Sequence, residues 1–434
     1  MAKPLSPGPA SDEPLTLLHQ AFVDDDAPRL RQLLEEHPEI KARINEPVAP
    51  FAAPAVTQVR SQALLDALLE AGADIDTKSQ WWAGGFGLLH TADPGVAAYA
   101  IERGATVDVH AAARLGLLDK LRDLIVADPA LVHACGGDGQ TPLHFAATVE
   151  VARILLEHGA DIDARDVDHE STPAQYMVRD RPAVARFLVQ RGCRTDLLLA
   201  AALGEIELVR RHLDADPDCV HLRVNNEFFP MSRQEAGGTI YQWTLGWQVS
   251  AHDVALERGH DDIFRLLMER SPAGTKLLAA CRAGDAELVR SVQAQHPDAV
   301  DSLTAAERRH CAHAARNNNT AGVRLMLAAG FPVDARGQHG GTPLHWAAFH
   351  GNVGMVRDIL QRDPPLEFED ADFHSTPLGW AVHGSEHGWH ARTGDYPAVV
   401  ELLLNAGAIF TEKMLGATGA VREVLGRFST GRTP

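Results

Sequence analysis

Histidines and carboxylates occur together at residues 383–390, where their spacing could support metal chemistry. The order His-x-x-Glu-His binds zinc when both imidazoles lie on one face of a regular helix and the Glu stands beside the metal-bound water. Two glycines and a serine within the stretch argue against a continuous helix, and no third ligand is identifiable at a suitable spacing. We therefore predict no metal site. If an ion bound there, its ligands would be His383, His387 and His390.

General acid–base catalysis would need ionisable side chains in or next to segments that interrupt the regular structure. The residues that meet this condition are Glu235, His252, Asp253, His383, Glu386 and His387. The sequence contains no nucleophile elbow, no phosphate-binding glycine loop and no Rossmann fingerprint, so we expect no cofactor and assign no catalytic set.

A repeated pattern must position these residues. The sequence Thr-Pro-Leu-His begins at Thr141 and again at Thr342, and Thr-Pro-Leu recurs at Thr376. The interval from Thr342 to Thr376 is 34 positions, and the interval from Gly159 to Gly192 is 33. In each copy the threonine can cap a helix whose first residue is proline, and a glycine such as Gly159 ends the second helix.

This pattern resembles the ankyrin repeat family, whose unit is a turn followed by two antiparallel helices. The resemblance implies an all-α solenoid of helix pairs joined by short hairpin or finger loops, here with aromatic insertions. We expect about twelve to thirteen repeats in one solenoid over residues 15–428, between a flexible leader at 1–14 and a flexible tail at 429–434. His90, His144 and His345 are expected to form hydrogen bonds between loops, as the family implies.

Three insertions interrupt the repeats, at about residues 78–87, 225–249 and 383–396. Long interruptions of this kind are often functional. The family resemblance implies that the first two lie on fingers beside a concave groove, whereas the third lies between the helices of its own repeat and could be a rim loop.

Aromatic residues concentrate in the insertions and at the position that follows the His of Thr-Pro-Leu-His, which faces the groove in this family. We predict a partner-binding surface from these rings, although some of them could simply pack loops onto the repeats. The predicted binding residues are Trp81, Trp82, Phe145, Tyr176, Tyr241, Trp243, Trp247, His313, Trp346, His350 and Trp380.

Charge and hydropathy exclude other classes of partner. The chain has 40 Lys and Arg against 58 Asp and Glu, a net charge of -18, which opposes binding to nucleic acid or to anionic lipid. No apolar stretch reaches the roughly 18 to 20 residues of a membrane span. The polar start of the chain does not resemble a signal peptide, so we expect a cytoplasmic protein.

Two functions remain open at this stage. The first is recognition of a protein or peptide partner on the concave aromatic face. The alternative is an enzyme or small-molecule-binding protein, whose pocket the groove and the insertion loops would form. Loops that pack closed over convergent polar groups would favour the alternative, and splayed loops would oppose it.

Overall fold

The computed structural model describes residues 13–417 and 419–430, and these residues are mostly helical with two short strands. The predicted all-α repeat fold is confirmed. The chain divides into two compact units.

Unit 1 comprises residues 13–205 and 223–249 of the described chain. Its α-helices are α1 (Glu13–Val23), α2 (Ala27–Glu36), α3 (Pro38–Ala42), α4 (Gln62–Glu70), α5 (Leu88–Thr91), α6 (Pro94–Glu102), α7 (Val109–Leu115), α8 (Leu118–Ala127), α9 (Pro142–Phe145), α10 (Val149–Glu157), α11 (Pro173–Met177), α12 (Pro182–Gln190), α13 (Leu197–Leu203) and α15 (Tyr241–Thr244). Two short strands, β1 (Pro47–Ala49) and β2 (Ala53–Pro54), pair antiparallel between α3 and α4, and Ala49 pairs with Ala53.

Unit 2 comprises residues 206–222 and the described residues from 250 onward. Its α-helices are α14 (Ile206–Ala215), α16 (Ala251–Glu257), α17 (Asp261–Arg270), α18 (Ala273–Ala283), α19 (Ala286–Gln295), α20 (Ala305–Arg308), α21 (His310–Arg316), α22 (Thr320–Ala329), α23 (Pro343–Phe349), α24 (Val353–Leu360), α25 (Pro377–His387), α26 (Tyr396–Asn405) and α27 (Gly419–Thr430).

Short 3-10 helices mark several connections in both units. They span Pro50–Ala52, Ala55–Gln58, Pro129–His133, Gly137–Gly139, Pro217–His221, Gln338–Gly340 and Glu412–Gly416. No helix among the described residues is both long enough and apolar enough to cross a membrane.

The Thr-Pro-Leu-His motif joins each repeat to the next through its histidine. The backbone N–H of Thr141 donates to Nδ1 of His144 at 3.1 Å, so the other ring nitrogen, Nε2, donates to the carbonyl oxygen of Ser171 at 3.1 Å. His345 repeats this arrangement with Thr342 and with the carbonyl of Ser375. The predicted hydrogen bonds of these two histidines between loops are therefore confirmed.

The predicted leader, tail and third insertion can be compared with the observed helix bounds. Residues 13–14 of the predicted leader belong to α1 and residues 429–430 of the predicted tail belong to α27, so these parts are helical. Residues 1–12 and 431–434 lie outside the described residues. The single solenoid over residues 15–428 stays a prediction. Of the third insertion, residues 388–395 lie between the paired helices α25 and α26, and residues 383–387 belong to α25.

The expectation that no continuous helix forms around residue 384 was wrong, because α25 continues to His387. Gly384 is buried where a Cβ atom would lie 2.6 Å from the carbonyl oxygen of Phe349 in α23. This glycine therefore allows close approach of two helices and does not end the helix.

Candidate functional site

The predicted groove residues Trp346 of α23 and Trp380 of α25 pack against each other in unit 2. Their ring centroids lie 4.9 Å apart at 86°. They are only 3% and 6% exposed, so neither ring is available as an open recognition surface. The Nε1 of Trp380 donates to Asp370 at 2.8 Å, which fixes the ring within the repeat.

Trp389 of the third insertion supplies the exposed ring at this place. It stacks on Trp346 with centroids 6.0 Å apart and planes at 26°, yet it is 59% exposed. The guanidinium carbon of Arg316 lies 5.5 Å from the centroid of Trp346 and 5.2 Å from that of Trp389. Burial lowers the pKa of Arg316 to about 10, so the side chain remains cationic at neutral pH. We call Arg316, Trp346, His350, Trp380 and Trp389 the tryptophan cluster.

Several buried polar atoms in and beside the tryptophan cluster have no hydrogen-bond partner within the described chain. They are Arg316 Nε, Gln338 Oε1, Trp346 Nε1 and His350 Nδ1. Nε2 of His350 bonds the carbonyl oxygen of Arg316 at 2.8 Å and must donate to it, so Nδ1 is an acceptor. Burial lowers the pKa of His350 to about 4, which keeps the ring neutral. The cluster thus contains buried donors and acceptors that no described residue satisfies.

The histidines of the third insertion separate into two places. His383 and His387 lie one helical turn apart on α25, with ring centroids 5.0 Å apart, and Glu386 lies 3.7 Å from His387. His390 instead packs against His350 at 5.0 Å, so its ring joins the tryptophan cluster. Burial lowers the pKa of His383 below its ordinary value.

The other predicted binding residues differ widely in exposure. Phe145, Tyr241 and His313 are buried, whereas Trp81, Tyr176 and Trp247 are half-buried. Tyr241 is fully buried and its hydroxyl donates to Asp196 at 2.9 Å, so it holds the second insertion in place and presents no surface to a partner. Trp82 is exposed, as is Trp243 at 60%.

Two of the catalytic candidates outside the third insertion, His252 and Asp253, form hydrogen bonds and an ion pair within unit 2. Nε2 of His252 donates to Ser271 at 2.9 Å, since the Ser271 hydroxyl itself donates to the carbonyl of Leu267. Asp253 accepts the backbone N–H of Ser250 and pairs with Arg282 at 2.6 Å. Glu235 is exposed in the second insertion. The roles of His252 and Asp253 are accounted for by these structural bonds.

A second polar cluster in unit 1 escaped the sequence analysis. Asp138, Asp168 and His169 each offer one potential ligand atom, and these atoms lie within 4.8 Å of one another. Among the described residues, this is the one group of three or more His, Cys, Asp or Glu side chains with that geometry. We call it the Asp138 cluster.

Both sites contain residues that a periodicity argument could not assign. Arg316 and Trp389 lie far from each other in sequence, and Asp138 lies in the loop that precedes a Thr-Pro-Leu-His motif. The available signal was weak: an Asp-x-Asp-His sequence at residues 166–169, within a finger loop, could have drawn attention to Asp168 and His169.

Comparison of the sequence with models of known protein families identifies the family of the helical repeat. The family described as ankyrin repeats (3 copies) matches residues 109–198, 276–372 and 312–414, which together cover more than half of the chain. The chain therefore belongs to the ankyrin repeat family. The expected number of twelve to thirteen repeats stays a prediction.

Individual relatives share only short parts of their length with this chain. E3 ubiquitin-protein ligase KEG of Arabidopsis thaliana is 24% identical over 288 residues, which is 56% of this chain and 18% of the relative. Potassium channel AKT3 of Oryza sativa subsp. japonica is 60% identical over 38 residues, 8% of this chain and 4% of the channel. Serine/threonine-protein kinase VIK of Arabidopsis thaliana is 47% identical over 49 residues, 11% of each chain. The chain thus spans less than a fifth of each of these relatives.

Proposed function

We propose that the protein is a cytoplasmic recognition module that binds a protein or peptide partner at the tryptophan cluster of unit 2. Ankyrin repeats are generally protein–protein interaction modules, and this chain belongs to that family. The observation that carries the proposal is an exposed Trp389 beside buried polar atoms that no described residue satisfies.

The partner's chemistry follows from these groups. An exposed indole binds an apolar side chain or a ring of the partner, and tryptophan is frequent among residues that dominate binding energy. The unpaired donors on Arg316 and Trp346 are buried beside Trp389, and a partner that displaces this exposed ring would bring them an oxygen acceptor, either a backbone carbonyl or a carboxylate. Leaving such a buried group unpaired costs about 1–3 kcal/mol, which a bound oxygen would recover.

Trp389→Ala tests the proposal, and Trp243→Ala is its matched control, because Trp243 is an equally exposed tryptophan in the other unit. The full chain is used to isolate a partner from the native cells, and the purified partner is then titrated by calorimetry. We expect Trp389→Ala to weaken binding at least about tenfold, or about 1.4 kcal/mol, and Trp243→Ala to leave it unchanged. Unchanged affinity of a folded Trp389→Ala variant would refute this binding site.

The alternative, small-molecule binding or catalysis, is favoured by one observation in unit 1. The first and second insertions pack onto the loops of the Asp138 cluster: the backbone N–H of Asp138 donates to Gly84, and that of Gly237 donates to Asp168. A small ligand whose affinity falls in an Asp168→Asn variant and is unchanged in Trp389→Ala would support this second function.

A further inference from the structure

We propose that Asp138, Asp168 and His169 bind a divalent transition-metal ion of the zinc type. Two carboxylates and one imidazole are a ligand set that zinc and its first-row neighbours accept, whereas calcium and magnesium prefer oxygen alone. Three protein ligands also leave one position of a tetrahedral ion open to a further ligand. This site lies in unit 1 and goes beyond the partner binding proposed for unit 2.

His169 is held in the tautomer that a metal ligand needs. Its Nδ1 lies 2.7 Å from the carbonyl oxygen of Gly238, and because a carbonyl only accepts, Nδ1 carries the hydrogen. The neutral ring then has a lone pair on Nε2, which lies 3.6 Å from Oδ2 of Asp168, too far for a hydrogen bond. Metal-binding histidines commonly donate their second nitrogen to such a carbonyl. His169 is 9% exposed, and its Nε2 forms no hydrogen bond with any described residue.

Apart from His169, the two carboxylates have no cationic partner among the described residues. No Lys or Arg within the described chain forms an ion pair with Asp138 or Asp168. The ligand atoms of Asp138 and Asp168 lie within 4.8 Å of each other, so the two carboxylates repel when both are charged. The neighbouring Asp166 is fully engaged, since it accepts hydrogen bonds from the backbone of His169 and Ser171 and from the Tyr176 hydroxyl. A bound dication would offset the repulsion between Asp138 and Asp168.

Unit 2 contains the same pair of loops without this ligand set. The carbonyl of Asp138 accepts the N–H of Val167 at 2.8 Å, and the carbonyl of His339 accepts the N–H of Ala371 at 2.8 Å. Asp166 and Asp370 likewise each donate their backbone N–H to the carbonyl oxygen of the serine five positions on, and their side chains accept that serine's N–H in return.

In this alignment of the two loop pairs, His339 corresponds to Asp138, Asp372 to Asp168 and Phe373 to His169. In unit 2 His339 and Asp372 satisfy each other, because Nδ1 of His339 lies 2.7 Å from Asp372, and Phe373 is apolar. The loop pair therefore has no intrinsic need for two facing carboxylates, and their presence in unit 1 calls for a separate explanation.

Both insertions of unit 1 hold the proposed ligands in place. The side chain of Trp81 hydrogen-bonds to Asp138. The backbone N–H of Gly237 donates to Oδ1 of Asp168 at 3.1 Å, which leaves Oδ2 directed to the cluster. A Cβ atom on Gly237 would lie 3.1 Å from the His169 ring and 3.2 Å from Asp168, so a side chain at this position would press against two proposed ligands. Fixed ligands of this kind favour a defined metal geometry.

The full chain, stripped of metal with a chelator, is titrated with Zn²⁺ by calorimetry and with Co²⁺ by visible absorption. We expect one Zn²⁺ per chain, much weaker binding of Mg²⁺, and a Co²⁺ d–d spectrum of low coordination number. Asp168→Asn and His169→Phe should each weaken Zn²⁺ binding by about tenfold or more. The second substitution copies the residue that unit 2 carries at the same place, Phe373, and should be tolerated by the loop. The matched control, Asp372→Asn, should leave Zn²⁺ affinity unchanged.

Two results would overturn the proposal. One is a wild-type chain that binds no Zn²⁺ at micromolar concentration. The other is binding that persists in folded His169→Phe and Asp168→Asn variants, which would place the ion elsewhere, for example at His383 and His387. Circular dichroism establishes that each variant is folded. If Asp168→Asn does not fold, His169→Phe alone decides the assignment, and neither result depends on the partner of unit 2.

Discussion

Single buried hydroxyl groups fasten the insertions to the repeats, and Tyr241 is the clearest example. Its hydroxyl donates to Asp196, which also accepts the backbone N–H of Leu199 and so caps α13. Burial and the neighbouring Asp196 raise the pKa of Tyr241 well above its ordinary value, so the hydroxyl remains a donor. Tyr241 thereby connects the second insertion to the start of a core helix.

Tyr241→Phe should lower the free energy of unfolding by about 1–2 kcal/mol, because it deletes a buried hydrogen bond to a charged acceptor and keeps the packed ring. The measurement is urea unfolding of the full chain at neutral pH. Tyr99→Phe is a useful control, since that hydroxyl also bonds a carboxylate, that of Asp66, but in a less buried place. A Tyr241→Phe variant as stable as the wild type would show that the hydroxyl contributes nothing to holding the insertion.

The residues of the two sites were only partly predictable from the sequence. Trp346 and Trp380 could be placed together because both follow the fourth residue of a repeated motif, but their burial could not be predicted in that way. The contact between Trp389 and Arg316 could not be predicted, because it depends on the path of an insertion that does not recur in the other repeats. Asp138 was missed for a different reason. It lies 30 residues before Asp168 in the sequence, and only the packing of two neighbouring loops brings the two carboxylates together.

At the scale of helices, small residues set how closely neighbours pack. Gly384 in α25 lies against the carbonyl of Phe349 in α23, and Tyr396 at the start of α26 donates its hydroxyl to that same carbonyl. The third insertion is therefore anchored at both ends to α23. The sequence predicted the helix pair here from its motif, but it could not reveal a glycine used for packing, since glycine alone usually signals a helix end.

Gly384→Ala should destabilise unit 2 even though alanine is the better helix former. The added Cβ would meet the Phe349 carbonyl at 2.6 Å and must push α23 and α25 apart, an overpacking effect of about 1–3 kcal/mol. Gly354→Ala in α24 is the matched control: it is exposed, its added Cβ meets nothing closer than 3.6 Å, and it should stabilise by up to about 1 kcal/mol. Thermal unfolding of both variants measures the difference, and equal effects of the two substitutions would contradict the packing role of Gly384.

At the scale of the whole molecule, buried neutral histidines occur in both units of an acidic chain. Burial lowers the pKa of His144 in unit 1 to about 4, and it does the same for His345 and His350 in unit 2. Two of these imidazoles bond carbonyls across repeats, and the third bonds the carbonyl of Arg316. Protonation would place a charge on a buried imidazole in each unit, so the free energy of unfolding of both units should depend on pH.

The direction follows from proton binding. Between pH 6.5 and pH 4 the unfolded histidines take up protons that the folded ones do not, so the free energy of unfolding falls as the pH falls through this window. From pH 7 to pH 5 each histidine should cost roughly 2 kcal/mol. Asp138 acts in the opposite direction: its raised pKa means that the folded chain binds this proton more tightly, which stabilises the fold as the pH falls. It is one group against three histidines. Urea unfolding at pH 7 and pH 5 measures the net change, and His144→Gln should reduce the pH dependence of unit 1 because no proton can bind there in either state. Stability that stays constant or rises from pH 7 to pH 5 would mean that these histidines are not held neutral by the fold.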